Sequence, residues 1–279
     1  MWHCCELMIN IAMKNPQSID KTQVALRFAQ AGQSYPEHAV VQRKIAQQLF
    51  DLMAQYSPEK LNQVFEMGCG SGNLSHLLIE NLQIKHLILN DLYFEVQQHF
   101  QSDRIQAIQT QQKIEFLIGD IEQLNFPQNN ELIVSSSVLQ WMGNLDAVFA
   151  KARHSLNPQA LLCFSTFGQQ NLQEIKTLTG QGLDYLSLEN IQEKLQQNGF
   201  EILHISEQIE ALNFEHPKQI LQHLKATGVT ATASNFRWTK QSLQDFYLNY
   251  QQFLTQDESG KSSYPLSYHP IYCIARRMP

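Results

Sequence analysis

No stretch of this sequence approaches the roughly 20 consecutive apolar residues that a membrane-spanning helix needs, so no membrane association is expected. Basic charge is also scarce: Lys and Arg total 20 against 26 Asp and Glu, a formal net charge of −6. The electrostatic footprint of a protein that lives on phosphate backbones is therefore missing, and no nucleic acid is expected among its partners. The five cysteines, Cys4, Cys5, Cys69, Cys163 and Cys273, form no CxxC pair, which argues against a zinc site or redox dithiol and suits reduced thiols in a cytoplasmic protein. The apolar stretch 7–13 is short, follows Glu6 rather than a basic region and lacks a small-residue cleavage site, so no signal peptide is expected. Residues 1–20 read as a disordered tail. What is present is an ordinary globular composition, 43% hydrophobic and 16% charged over 279 residues, enough to bury a sizeable core in one large domain or two small ones.

Between residues 63 and 166, short β-like apolar runs (64–67, 86–90, 114–118, 131–138 and 160–166) alternate with segments at helical spacing (73–81, 94–100 and 144–155). This is the pattern of a parallel sheet covered by helices. Upstream, Val24, Phe28 and Ala31, then Val41, Ile45, Leu49 and Leu52, predict two helices separated by Pro36. Downstream, Ser187 opens a helix that ends at Asn198-Gly199, and residues 200–209 follow as a strand. Residues 214–260 change character, with helices predicted over 216–225 and 239–254. The last run, 268–275, is β-like, and Pro270 within it implies an edge position or a bulge near its start. The organisation expected is a single domain over 21–279: an N-terminal helical arm (21–62), a core sheet (63–213), a helical lid insertion (214–260) and a final strand (261–279).

The richest segment is Val64-Phe-Glu-Met-Gly-Cys-Gly-Ser-Gly-Asn73, an apolar strand running into Gly68, Gly70 and Gly72 and then a helix. Glycines there let the backbone turn tightly and approach a ligand. The Gly-x-Gly-x-Gly spacing differs from the Gly-x-Gly-x-x-Gly that seats a pyrophosphate on a helix N-terminus, which makes a dinucleotide less probable. Glu66, at the strand end, would repel a phosphate but attract a cationic amino group or sulfonium, so a zwitterionic ligand is indicated. Asp91 closes the next strand about 20 residues on, where an acid can take both hydroxyls of a ribose. Asp120 closes the third strand, placed to accept from an exocyclic adenine amine while Ile121 packs on the ring. All three acids converge by topology at the C-terminal edge of the sheet.

Glu66-x-Gly68-x-Gly70-x-Gly72 with Asp91 and Asp120 resembles the class I S-adenosylmethionine-dependent methyltransferases. The resemblance implies an α/β, Rossmann-like fold with a seven-stranded, mostly parallel sheet and an antiparallel final strand. It places the methionine portion of S-adenosylmethionine against Glu66, Gly68, Cys69 and Gly70, the ribose on Asp91 beside Leu92, and the adenine at Asp120 and Ile121, with Ser137 at the strand end that faces the transferring methyl. One departure is Asn157-Pro158-Gln159, where that family usually has Pro-Gly-Gly; it bears on turn geometry.

Outside the core, Arg27-Phe28-Ala29, Ser34-Tyr35-x-x-His38-Ala39, Leu139-Gln140-Trp141, Leu224-Lys225-x-x-Gly228, Trp238-Thr239 and residues 264–269 make the chain similar to the malonyl-carrier-protein O-methyltransferases of biotin synthesis. That resemblance implies esterification of the free carboxylate of a malonyl thioester on the phosphopantetheine of acyl-carrier protein, a methyl ester that primes pimeloyl synthesis. Such a carboxylate is already ionised near neutral pH, so the attack needs no general base. A cation is expected to hold it, with Arg27, Arg43, Arg237 and Arg276 as candidates. Tyr35 and His38 are expected in a lid over the cofactor, Trp141 as a wall of the methyl-transfer site, and His269 near the acceptor. Lys218, Lys225, Arg237 and Lys240 are candidates for a basic face toward the acidic carrier. A monomer is expected. Three other readings stay open on sequence alone: a small-molecule or lipid O- or N-methyltransferase, a non-enzymatic cofactor binder, and a nicotinamide-dependent oxidoreductase.

Overall fold

The computed structural model describes residues 21, 22, 24, 26, 39–101, 112–228 and 238–279. Helix α1 (Val40–Met53) precedes strand β1 (Lys60–Met67). Then follow α2 (Asn73–Asn81), β2 (Gln83–Asp91), a 3₁₀ turn (Phe94–Phe100), β3 (Lys113–Ile118), β4 (Asn130–Ser136), α3 (Leu145–Ser155) and β5 (Leu156–Phe167). Helices α4 (Gln173–Thr179) and α5 (Leu188–Gln197) lead to β6 (Phe200–Glu207) and β7 (Glu210–Phe214). The chain continues with α6 (Pro217–Ala226), α7 (Lys240–Asn249), β8 (Thr255–Gln256), β9 (Ser262–Tyr268) and β10 (Pro270–Arg277).

Seven strands form one sheet in the order β3-β2-β1-β4-β5-β10-β6. The first five pair in parallel, and β10 runs antiparallel to both β5 and β6. Strand β1 is buried on both faces from Val64 to Met67 because the sheet is covered on both sides. One layer of core packs α1 and α2 on the sheet through Ile45, Leu49, Leu74 and Leu78. The other packs α3 and α5 through Val148, Phe149, Ile191 and Leu195. Capping matches the sequence: Asn144 accepts from Ala147 N–H at the start of α3 (3.0 Å), and Ser187 from Asn190 N–H at the start of α5 (3.2 Å).

The sequence reading differs from the structure near the C-terminus. A second sheet, in the order β7-β9-β8, draws one strand from the segment read as core and one from the segment read as helical. Strands β7 and β8 are short and largely exposed, so they carry little of the apolar periodicity that marks the core strands. Pro270 is the first residue of β10, an interior strand rather than an edge. A strand's first residue tolerates the missing N–H, and the register shift in β10 falls later, between Ile274 and Ala275.

Candidate active site

The glycine turn takes the shape its composition allows. Gly68, Gly70 and Gly72 have φ of +73°, +51° and +87°, the left-handed region that side chains resist. At Gly68 an added Cβ would stand 2.4 Å from Val138 Cγ2, so only glycine fits against the end of β4. At Gly70 an added Cβ would meet nothing within 4 Å, because that face of the turn opens into the cleft.

The strand ends are tied together around this turn. Cys69 N–H donates to Asn90 O at 2.8 Å, and Ser135 Oγ donates to Met67 O at 2.9 Å. Asp91 accepts from Gly70 N–H through Oδ2 and from Leu92 N–H through Oδ1, each at 2.7 Å. These bonds give the first two acids a fixed frame.

A cleft of about 1030 Å³ lies over this edge. It is lined by all nine residues expected to hold the cofactor: Glu66, Gly68, Cys69, Gly70, Asp91, Leu92, Asp120, Ile121 and Ser137. Trp141 is also in its wall. Glu66 is 1% exposed, and its Oε2 has no hydrogen-bond partner in the protein. Burial pushes its pKa up to about 8; the Ser75 hydroxyl opposes the rise and the Asp91 charge adds to it. Burial also pushes Asp91 up to about 6 against the backbone N–H groups of Gly70, Leu92 and Tyr93. Two carboxyls thus share a site where, among the described residues, no cation meets either, which suits a ligand bringing its own positive charge. The Cys69 thiol is pushed well up by burial, so it stays protonated and is no nucleophile.

The N-terminal arm reaches this cleft. Val24 lines it, and Lys21 Nζ donates to Asp120 Oδ1 at 2.6 Å and to Glu122 as well. Asp120 Oδ1 also accepts Glu122 N–H at 2.9 Å. Arg27, Tyr35, His38 and Arg237 lie outside the described residues.

A second, smaller cavity adjoins the first, and the two share Gln42, Ser137 and Trp141. Its remaining wall comes from Gln140 and from the region around β5, α4, α6 and β9, including Phe167, Asn171, Tyr185 and Thr227. Sequence reasoning found Trp141 and Ser137 but missed Asn171 and Tyr185. No local pattern marks these two, since the second sheet and the segment after β5 bring them to the site.

Other candidates lie elsewhere. His269 is buried outside both cavities: Gln170 N–H donates to its Nδ1 at 3.1 Å, which leaves Nε2–H to donate to Glu207 Oε2 at 3.0 Å. It fastens the loop after β5 to the end of β6. Arg43 is on the exposed face of α1, Lys225 is exposed near the end of α6, and Arg276 pairs with Glu201 at 2.7 Å. Among the described residues, neither cavity wall contains a lysine or arginine.

Comparison with known proteins agrees with this geometry. A family model described as a methyltransferase domain matches residues 41–205. A malonyl-[acyl-carrier protein] O-methyltransferase from Acinetobacter baylyi is 48% identical over 93% of this chain and 98% of its own length. The chain belongs to the malonyl-[acyl-carrier protein] O-methyltransferase family. A second member, from Bacteroides thetaiotaomicron, is 37% identical over 93% of this chain and 99% of its own. Among solved structures, the [4+2]-cyclase SpnF aligns with TM-score 0.52 at 15% identity, covering 83% of this chain and 80% of that one. Its different reaction illustrates that the fold alone does not set the chemistry.

No helix among the described residues is long and apolar enough to cross a membrane.

Proposed function

We propose that this protein transfers a methyl group from S-adenosylmethionine to the free carboxylate of a malonyl thioester on acyl-carrier protein, giving the methyl ester that primes pimeloyl synthesis for biotin. The observation that carries the reading is the meeting of two unlike cavities at Ser137 and Trp141. One is built around a glycine turn, the buried Glu66 and the half-buried Asp91, and the described residues that line the other are neutral.

The first cavity fits the cofactor on its own chemistry. The unpartnered, buried Glu66 Oε2 suits an ammonium group, and the open face of Gly70 leaves room for a ligand against the backbone. Asp91, oriented by two backbone N–H groups, would take the ribose hydroxyls, while Asp120 and Ile121 would meet the adenine. When bound, S-adenosylmethionine supplies a methyl group on a positively charged sulfur. What the protein must add is position and dryness. Trp141 is 7% exposed in the wall common to both cavities, where it would keep water from the reacting carboxylate. The acceptor is ionised near neutral pH, so no side chain has to remove a proton.

The carrier would dock by charge. Lys218 and Lys225 on α6 and Lys240 at the start of α7 are exposed, and Arg237 precedes Lys240 in sequence. They would offer an acidic carrier a basic face on a chain of net charge −6. Both cavities belong to one chain, so a cytoplasmic monomer suffices. The test is an incubation of the protein and cofactor with malonyl-loaded carrier protein, read by intact mass. A methyl-sized gain on the carrier is expected. No gain there with gain on an unrelated small acid or amine would overturn the reading.

A further inference from the structure

We propose that the hydroxyls of Ser137 and Tyr185 hold the acceptor's free carboxylate in the second cavity. The inference rests on the proposed methylation of a malonyl carboxylate and names the groups that would bind it.

Three observations carry it. First, both residues line the second cavity, and Ser137 lines the cofactor cleft too. A group bound by both would therefore lie beside the place where the methyl is delivered. Second, both hydroxyls have an unspent proton. Ser137 Oγ is buried with no hydrogen-bond partner. Tyr185 Oη accepts from Asn171 Nδ2 at 2.8 Å, and the orientation of that amide is set by His269 N–H donating to Asn171 Oδ1 at 3.3 Å. With an acceptor's role already filled, the phenol oxygen keeps its own O–H to donate. Its pKa, pushed up to about 12 by burial, keeps it protonated. Third, Ser137 sits at φ +59°, a left-handed conformation that a serine adopts at a cost. Two bonds from its backbone N–H fix it there: Ser137 N–H donates to Ser165 O and to Ser165 Oγ, both at 3.1 Å. The strained residue is held so that its side chain has no partner in the protein.

The chemistry favours neutral donors. A carboxylate becomes an uncharged ester as the methyl arrives, so a cation paired with it stabilises the starting state more than the transition state. A hydroxyl loses much less when that charge disappears. Hydroxyl donors still satisfy the carboxylate oxygens once water is excluded, which an apolar wall would not. An acyl group without the carboxylate, such as acetyl, would leave both hydroxyls unpaired, and this adds selectivity for the malonyl group.

The test uses full-length Tyr185→Phe and Ser137→Ala proteins, each checked for an unchanged unfolding transition and for S-adenosylhomocysteine binding by calorimetry. Each should raise KM for malonyl-carrier protein about ten-fold or more, while in Tyr185→Phe, which lies outside the cofactor cleft, S-adenosylhomocysteine affinity stays within about two-fold. A malonyl thioester analogue labelled at the carboxylate should shift its carboxylate resonance on binding to the wild-type protein saturated with S-adenosylhomocysteine, and the shift should shrink in Tyr185→Phe. Unchanged KM and an unchanged resonance in both variants would overturn the inference while leaving methyl transfer intact. Wild-type protein inactive on every malonyl thioester would instead overturn the proposed activity, and this inference with it.

Discussion

Gly70 donates its backbone N–H to Asp91 Oδ2 at 2.7 Å, a bond across 21 residues that locks the turn after β1 to the end of β2. Through it, the conformation of the glycine loop and the orientation of the second acid become one feature. The cleft is therefore shaped before any ligand arrives, with Glu66 buried behind the turn and unpartnered at Oε2.

That burial gives a pH signature. Glu66 keeps its proton up to about pH 8 in the folded protein, whereas the ordinary carboxyl value is 4.5. Between these values the folded state binds more protons than the unfolded, so this group's contribution makes the ligand-free protein less stable as pH rises through that window. A ligand ammonium favours the ionised carboxylate. Binding of S-adenosylhomocysteine near pH 7 should therefore release about one proton, measured by calorimetry in buffers of different ionisation heat. The release should fade well above pH 8 and be lost in Glu66→Gln, which should also bind more weakly.

Gly68 and Val138 make a steric prediction. Gly68→Ala places a methyl 2.4 Å from Val138 Cγ2 at φ +73°, combining a clash with backbone strain. A loss of about 2 kcal/mol in denaturant unfolding is expected, together with weakened S-adenosylhomocysteine binding. Adding Val138→Ala should recover part of the stability, since it removes the two closest contacts and leaves a 3.1 Å approach to Val138 Cβ and the strain.

The departure at Asn157-Pro158-Gln159 has a structural cost that can be measured. Gln159 is exposed and holds φ +67°, a conformation suited to the glycine found there in the resembling family. Gln159→Gly should stabilise the protein by about 1 kcal/mol with methyl transfer unchanged. A shifted denaturation midpoint with constant slope is the readout.

Lys21 joins the arm to the cleft by pairing with Asp120 and Glu122. The groups are partly exposed, so the pair is worth about 1 kcal/mol at most. Lys21→Met should speed S-adenosylhomocysteine dissociation by no more than about five-fold, seen by stopped-flow, and the difference should narrow in high salt.

The parallel core and the cofactor cleft were legible in the sequence because local signals encode them. Strand periodicity, the glycine spacing and an acid closing each of three strands all lie within segments of a few residues, and topology then gathers them at one edge. The acceptor side was less legible. Asn171 and Tyr185 reach their cavity through the packing of the second sheet and the segment after β5, which no short pattern announces. His269, read as near the acceptor, is instead bonded on both ring nitrogens outside the cavities. The expectation of a cation on the carboxylate came from the general cost of burying charge; two of its candidates, Arg27 and Arg237, lie outside the described residues, and the described walls contribute hydroxyls and amides.

The central claim is that the methyl group goes to the malonyl carboxylate. The most direct test supplies cofactor with an isotope-labelled methyl to the wild-type protein and malonyl-carrier protein, releases the acyl group and locates the label, with acetyl-carrier protein as the control. Label is expected as a methyl ester on the malonyl carboxylate and none on acetyl-carrier protein. Label on carbon or nitrogen, or equal label with acetyl, would contradict it.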